Sequence, residues 1–265
     1  MTPPEARIPR FDGHRYPQII PDPGEILPGG PAPWADVASR GDLTLEVVLS
    51  RLDRAGRQLG ASNPPNWPRE LVADDVPAPV TQRSAVLVGL FEEDGDTHVI
   101  LTRRSFSMRT HRGEVSFPGG RSHDGETPTQ TALREAHEEI GLDTARATPV
   151  SWLSPIATFA SGSAIFPIVA ALESRPVFVI DPIEVDRAFS VALSDLAAEG
   201  AFLEERWRRP PSRPGADAQA YFPLHFFRVP DDLVWGATAR ILTELLCLAL
   251  GVPVPAPDDS AAQTR

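Results

Sequence analysis

The amino-acid sequence predicts an α/β protein: an α/β/α sandwich with a mixed sheet, preceded by a proline-rich N-terminal extension with one helix. Three patterns predict this fold class. Two apolar segments flank an Asp-Gly turn within residues 84–104 and indicate a β-hairpin. An amphipathic helix follows at 127–141, and a more apolar helix at 231–250 closes the fold. Strands interspersed with helices favour a sheet covered by helices.

Residues 1–82 are the predicted extension. Its first 40 residues contain nine prolines and little periodicity, which predicts an irregular arm that is either disordered or laid over the domain. Leucines and valines at helical spacing then predict one helix near 43–59, which the SNPPNWP run ends.

The main domain is predicted over 83–251, and residues 252–265 form a predicted disordered tail. GEVSFPGG, at 113–120, predicts a short strand that enters a double-glycine turn. The further predicted elements are two strands joined around Ser161 and Gly162 within 148–172, short strands at 176–180 and 188–193, a helical turn before Gly200, and a strand at 220–229.

The composition limits the function classes. Of the 265 residues, 42% are hydrophobic, which supports a substantial core. The formal net charge of −11 disfavours non-specific binding to nucleic acid or to anionic membranes. The single cysteine, Cys247, lies in an apolar run and is predicted to be a buried thiol. Because the sequence shows no signal peptide and no bilayer-length apolar run, we expect a soluble cytoplasmic protein.

The helix at 127–141 carries its own start and stop signals. Thr127 is the predicted N-cap, Pro128 fits the first helical position, and Gln130 completes a capping box. Gly141 can end the helix in a left-handed conformation. These local signals predict the helix and both of its ends.

Three carboxylates share one face of this helix, because Glu135, Glu138 and Glu139 stand at positions i, i+3 and i+4. They repel one another unless a cation lies between them. Hard divalent ions such as Mg²⁺ prefer such oxygen ligands and usually bind substrate phosphates as well. The alternative interpretation is a solvated acidic surface.

Residues 120–142 match a longer pattern, Gly-x5-Glu-x7-Arg-Glu-U-x-Glu-Glu-x-Gly-U, in which U is a bulky aliphatic residue. The matching residues are Gly120, Glu126, Arg134, Glu135, Glu138, Glu139, Gly141 and Leu142. Ala136 departs from the pattern because it is apolar but small. The segment resembles the Nudix box. This resemblance implies the Nudix fold and metal-dependent hydrolysis of a diphosphate that is linked to an organic group.

A second motif stands directly before the first. ILTRRSFSMRTHRGEVSFPGG, at 100–120, is similar to the upstream motif of the coenzyme A pyrophosphatase branch of the Nudix family. The matching residues are Leu101, Thr102, Arg104, Ser105, Arg109, Gly113, Phe117, Pro118, Gly119 and Gly120, with Ile100 in place of a leucine. The closing segment at 222–242 also resembles this branch. The resemblance therefore implies cleavage of coenzyme A or its acyl derivatives to 3′,5′-ADP and (acyl-)4′-phosphopantetheine.

The upstream motif supplies the candidate substrate-binding residues, which are Arg104, Arg109, His111, Arg112 and Gly119. The planar guanidinium of arginine suits phosphate, and coenzyme A carries a diphosphate and a separate 3′-phosphate. A solvated basic face, or arginines paired with the box glutamates, are the alternatives. His111 could be a structural hydrogen-bonding residue, and the two glycines at 119–120 would let the backbone turn sharply into the site.

The resemblance also implies roles for the box residues. Glu135, Glu138 and Glu139 are the expected ligands of Mg²⁺ or Mn²⁺, and the carbonyl of Gly120 could add another. Arg134 would orient the glutamates through a salt bridge. Glu126 would fix the loop or the helix N-terminus, with a role as a metal ligand as the alternative. The general base stays open between a box glutamate and three other acids, Glu114, Glu184 and Asp186.

Two alternatives to a coenzyme A hydrolase remain at this point. A Nudix enzyme could act on ADP-ribose, dinucleoside polyphosphates or other nucleoside diphosphate derivatives. A Nudix-fold sensor or interaction module would lack catalysis, although such proteins usually lose box glutamates. We expect a small-molecule substrate, no nucleic acid and no membrane, and either the apolar closing helix or the proline-rich arm could serve a homodimer.

Overall fold

The computed structural model describes residues 18, 20–37, 42–55, 67, 82–108, 110–158, 163–208 and 221–255. The helices in this part of the chain are α1 (Leu45–Arg54), α2 (Pro128–Ile140), α3 (Leu193–Leu196) and α4 (Gly236–Leu250), with a 3₁₀ helix at Thr144–Arg146. The strands are β1 (Ile26–Pro28), β2 (Gln82–Glu93), β3 (Asp96–Arg104), β4 (Val115–Ser116), β5 (Gly119–Arg121), β6 (Ala147–Trp152), β7 (Ile156–Thr158), β8 (Ser163–Leu172), β9 (Val185–Ala192), β10 (Phe202–Arg208), β11 (Tyr221–Val229) and β12 (Asp232–Trp235).

The strands form two sheets. The larger sheet has the order β4-β3-β2-β8-β6, and β5, β7 and β9 pair with β2, β8 and β3 respectively. It is mixed, because β2 and β8 run parallel while the other pairs are antiparallel. The smaller sheet is antiparallel, with the order β1-β10-β11-β12.

Helices cover both faces of the larger sheet, as predicted. Successive side chains of a strand point to opposite faces, so neighbouring residues of β2 enter different cores. Leu87 packs in a cluster with Ala136 of α2. Val88 belongs to a second cluster with Leu52 of α1 and Leu245 of α4. The predicted α/β/α sandwich with a mixed sheet is therefore confirmed.

Several predicted elements are present. β2 and β3 form the expected hairpin, and Asp94 and Gly95 in its turn have positive φ angles of 52° and 79°. That conformation suits an Asp-Gly turn between two strands. The strands predicted at 188–193 and 220–229 correspond to β9 and β11. The predicted helix near 43–59 covers Leu45–Arg54, and its last four predicted positions lie outside the described residues.

Three predicted elements are corrected. Residues 176–180 are not a strand. This segment packs against the C-terminal end of α2 and not beside a strand, since the Val179 N–H donates to the carbonyl of Ile140. The region at 148–172 contains three strands, β6, β7 and β8, and the proposed Ser161-Gly162 joint lies outside the described residues. The closing helix begins at Gly236 rather than at 231, since 232–235 is strand β12.

Part of the N-terminal extension lies over the domain. β1 pairs antiparallel with β10, and the Trp34 indole donates a 3.2 Å hydrogen bond to the carbonyl of Ala197. Trp34 is buried and stacks on Phe227 with ring centroids 6.1 Å apart. The boundaries 1–82, 83–251 and 252–265 stay predictions.

Two further expectations concern burial and membranes. Cys247 is fully buried, as predicted for a structural thiol. Among the residues that the structure describes, no helix combines the length and the apolar character needed to cross a bilayer.

Candidate active site

Helix α2 is held at both ends as the sequence predicts. The Thr127 hydroxyl accepts from the Gln130 N–H at 3.2 Å, and the Gln130 side chain accepts from the Thr127 N–H at 2.9 Å. Gly141 ends the helix with a φ of 66°. Ala136, the departure from the motif, is fully buried against the sheet, so it keeps the packing role of an apolar residue at this position.

The three glutamates of α2 differ in environment. Glu139 is 5% exposed and accepts a 3.0 Å hydrogen bond from the Gly119 N–H. The Glu135 side chain is 15% exposed and faces β5, whereas the Glu138 side chain is 56% exposed. The structure therefore places two carboxylates in the interior of the site and one at its edge.

Burial changes the acidity of the two interior carboxylates. Removal from water raises the pKa of Glu139 to about 8, although the Gly119 N–H and the nearby Arg104 charge oppose the rise. Burial also raises the pKa of Glu135. In both cases the exposed Glu184 adds a repulsive negative charge. The site thus disfavours the ionised forms of Glu135 and Glu139 unless a positive charge comes close.

The two glycines of β5 allow a close approach at this side. β5 pairs with β2, so a Cβ atom on Gly119 would overlap the backbone oxygen of Ala85. A Cβ atom on Gly120 would lie 2.5 Å from the carboxylate of Glu135. The main chain of β5 can therefore come directly against the carboxylates because both positions lack side chains.

Arg134 connects the box loop with the glutamates. Its Nε and one terminal nitrogen donate to the two Glu126 oxygens at 2.7 and 3.0 Å. Its other terminal nitrogen donates to Glu135 and Glu138, both at 2.9 Å. The bond to Arg134 is the main reason why the pKa of Glu126 falls to about 2. The orienting role of Arg134 stays a prediction.

Glu126 fixes the loop that leads into α2. Besides Arg134, its carboxylate accepts from the His123 N–H at 2.8 Å and from the Thr131 hydroxyl at 2.9 Å. Of these hydrogen-bond donors, His123 lies in the loop, whereas Thr131 and Arg134 lie in α2, so the carboxylate ties the loop to the helix. The loop-fixing role of Glu126 stays a prediction.

The upstream motif reaches the glutamates through Arg104. This residue ends β3, lies within electrostatic reach of Glu139, and has a buried Nε–H with no hydrogen-bond partner. His111 and Arg112 are exposed on the following loop. His111 bonds to Glu114 at 3.0 Å, and Arg112 donates to the Met108 carbonyl at 2.6 Å.

Arg109, which is predicted to bind the substrate, lies outside the described residues. Of the described upstream residues, the structure thus brings Arg104 and Gly119 to the box glutamates and leaves His111 and Arg112 on the exposed loop.

Comparison with known proteins identifies the family. A NUDIX domain model matches residues 80–210. The uncharacterized Nudix hydrolase NudL of Photorhabdus laumondii is 32% identical over 165 residues, which are 62% of this chain and 83% of that protein. The chain belongs to the Nudix hydrolase family. Residues 120–142 are accordingly its Nudix box.

Other Nudix relatives are matched over a smaller share of their length. Nudix hydrolase 15, mitochondrial, of Arabidopsis thaliana is 37% identical over 171 residues, covering 61% of this chain and 56% of that protein. The peroxisomal coenzyme A diphosphatase ndx-8 of Caenorhabditis elegans is 34% identical over 165 residues, covering 61% of this chain and 63% of that protein. The chain therefore spans little more than half the length of the plant relative.

Nudix hydrolases generally use divalent metal ions, and the residues of the box fit such an ion. Two interior carboxylates, Glu135 and Glu139, offer oxygen ligands beside the main chain of Gly120. The described residues contain no group of three His, Cys, Asp or Glu side chains that would hold a metal alone. That arrangement suits an ion that takes part of its coordination from water, backbone carbonyls and substrate phosphates.

Sequence patterns missed some contributors to the site. The Gly119 N–H contact to Glu139 depends on how β5 pairs with β2, and no local motif reports that pairing. The sequence also did not single out Arg103, which bonds to Asp186 and to the buried Asp232. The pairing of β3 with β9 is irregular between Arg103 and Arg104, so simple alternation along the strand could not have predicted these contacts.

Proposed function

We propose that this protein hydrolyses the diphosphate of coenzyme A or its acyl derivatives in a reaction that depends on Mg²⁺ or Mn²⁺. The products are 3′,5′-ADP and (acyl-)4′-phosphopantetheine. One observation carries the proposal: the N–H of Gly119, a residue of the upstream motif, donates a 3.0 Å hydrogen bond to Glu139 of the Nudix box. The residues that imply the substrate and those that imply the chemistry thus belong to one site.

Two further observations support the substrate. Ten positions of the upstream motif are matched in residues 101–120, and a 34% identical relative is named a coenzyme A diphosphatase. Arg104 also retains an unused, buried Nε–H, and a guanidinium with a free donor is suited to a phosphate oxygen. Arg109, His111 and Arg112 complete the proposed phosphate-binding set.

The box residues would hold the ion and the diphosphate together. Glu135, Glu139 and the Gly120 carbonyl are the proposed interior ligands, with Glu138 at the solvent edge. A bound divalent ion supplies neutralisation of the charge that develops on the diphosphate oxygens. Arg134 keeps Glu135 and Glu138 in place, and the Gly119 N–H orients Glu139. Positioning of this kind supplies much of the rate in phosphoryl transfer.

Glu184 is our proposed general base. It is exposed and lies close enough to Glu135 and Glu139 to act on both electrostatically. Its backbone is held in place, since its carbonyl accepts from the Ser105 N–H at 2.8 Å. Asp186 is bound to Arg103 and Glu114 is bound to His111, so these two acids already have partners. Glu184 can thus accept the proton of an attacking water.

A substrate panel tests the proposal. Purified protein with Mg²⁺ or Mn²⁺ is incubated with coenzyme A, acetyl-coenzyme A, ADP-ribose, NADH and diadenosine polyphosphates, and the products are identified by mass spectrometry. We expect 3′,5′-ADP from coenzyme A or its acyl form. If both survive while ADP-ribose or a dinucleoside polyphosphate is cleaved, the alternative substrate class replaces the one proposed.

The substrate is a small molecule in this proposal. The cytoplasmic location, the absence of nucleic acid and membrane partners, and a homodimer stay predictions. Size-exclusion chromatography with light scattering would decide the oligomeric state.

A further inference from the structure

Trp67 belongs to the N-terminal extension, outside the residues that match the family model, yet it contacts the loop that leads into the box helix. Its indole N–H donates a 2.6 Å hydrogen bond to the carbonyl of Glu126. Its ring meets the Phe166 ring nearly at right angles, with centroids 6.2 Å apart. The Arg83 guanidinium lies 5.9 Å from its ring centroid. Three different contacts therefore hold Trp67 against the domain.

The contact with Glu126 continues toward the carboxylates. Trp67 holds the main chain of Glu126, while the side chain of Glu126 holds Arg134 through two hydrogen bonds. Arg134 in turn donates to Glu135 and Glu138. A displacement of the loop would move Arg134 and, with it, two of the three box glutamates.

We propose that Trp67 is a positioning residue for the metal site of the Nudix box. It fixes the loop at Glu126, so that Arg134 holds Glu135 and Glu138 at the spacing that a divalent ion requires. Partners of metal-binding side chains commonly change metal affinity when they are removed, although they do not touch the ion. The role assigned to Trp67 is of this kind, and it gives the extension a part in the function of the box.

Trp34 provides a matched control. It also lies in the extension, and its indole N–H also donates to a backbone carbonyl, that of Ala197, at 3.2 Å. Its ring packs on Phe202 and Phe227 in the core beside the smaller sheet. Replacing either tryptophan by phenylalanine removes the same indole N–H donor. Only the Trp67 hydrogen bond is made to the loop that leads into the box helix.

The experiment compares the full-length wild type with Trp67→Phe and Trp34→Phe. Mn²⁺ binding is measured without substrate, from the electron paramagnetic resonance signal of the free ion. We expect the dissociation constant to rise about tenfold in Trp67→Phe and to change less than about twofold in Trp34→Phe. Thermal unfolding checks that each variant is folded at the assay temperature, and Trp67→Tyr replaces Trp67→Phe if that variant unfolds.

Turnover of coenzyme A gives a second readout, which rests on the proposed function. Trp67→Phe should raise the half-saturating metal concentration about as much as the dissociation constant, while KM for coenzyme A at saturating metal stays within about twofold. Wild-type affinity for Mn²⁺ in Trp67→Phe, or equal weakening in both variants, overturns the role of Trp67. If the wild type leaves coenzyme A intact, the proposed substrate fails, while the Mn²⁺ titration still decides the role of Trp67.

Discussion

At the scale of single residues, Glu139 combines burial with one backbone hydrogen bond. Glu139 is 5% exposed, its carboxylate accepts from the Gly119 N–H, and the charge of Arg104 acts on it. A buried carboxylate is costly to ionise unless a positive charge comes close. A divalent ion between Glu139 and Glu135 would remove that cost, which is why these two residues are the strongest candidates for interior ligands.

The first prediction concerns Glu139→Gln. The amide keeps the size of the side chain but is a poor ligand, so we expect about a 100-fold or greater loss of turnover with the fold retained. Steady-state kinetics and circular dichroism measure the two effects. Glu173→Gln is the control, because that carboxylate is 66% exposed and pairs with Arg146. Full activity in Glu139→Gln would contradict the metal assignment.

The second prediction concerns Glu126→Gln and its dependence on pH. Glu126 has a folded pKa of about 2, below the ordinary value of 4.5. Its stabilising contribution is therefore fully present above pH 4.5 and is lost as the pH falls towards 2. We expect the substitution to lower the free energy of unfolding by about 2 kcal/mol at pH 7 and by much less near pH 2.5.

Urea unfolding of the wild type and of Glu126→Gln at both pH values measures this difference. A difference that is the same at pH 7 and at pH 2.5 would show that the Glu126–Arg134 ion pair is not its source.

At the scale of elements, α2 was predictable because its signals are local. Thr127, Gln130 and Gly141 lie within the helix or next to it, and each makes the contact that its type favours. The segment at 176–180 has the composition of a strand, but a strand also requires a neighbouring strand whose backbone groups are available for pairing. Its N–H at Val179 instead meets the last carbonyl of α2, which no local pattern reveals.

The start of α4 shows the same limit. Leu233 fits the apolar stripe of a helix, yet Asp231 and Gly236 have positive φ angles of 65° and 64°. The short strand β12 lies between these two residues and pairs with β11. The pairing depends on residues that are distant from the helical pattern, so periodicity alone extended the helix too far.

The third prediction concerns the ionic contact between β12 and β3. Asp232 is fully buried, and both of its carboxylate oxygens accept hydrogen bonds of 3.1 Å from Arg103. Asp232→Asn leaves part of the Arg103 charge without its partner and should cost about 3 kcal/mol. Asp231→Asn is the control, because its side chain is 79% exposed and asparagine tolerates the same positive φ.

Urea midpoints of the two variants give the comparison. We expect Asp231→Asn to stay within about 0.5 kcal/mol of the wild type. Equal losses in both variants would assign the effect to the turn rather than to the buried contact.

At the scale of the whole molecule, Cys247 reports on global unfolding. It is fully buried in α4, and burial raises the pKa of its thiol to about 12. Since the thiolate is the reactive form, iodoacetamide at pH 8 should label unfolded protein at least about 100-fold faster than folded protein. Mass spectrometry of timed samples measures labelling. Rapid labelling without denaturant would mean that α4 opens independently of the rest.

The parallel pairing of β2 with β8 has a consequence for the order of assembly. Residue 82 pairs with residue 163, so about 80 further residues must leave the ribosome after residue 82 before this pair can close. The hairpin of β2 and β3 is local, with Leu90 opposite Val99, and can form while synthesis continues. Until β8 arrives, one edge of the apolar strand β2 stays open to other chains. The time between these two events is the interval in which the nascent protein is most exposed to aggregation.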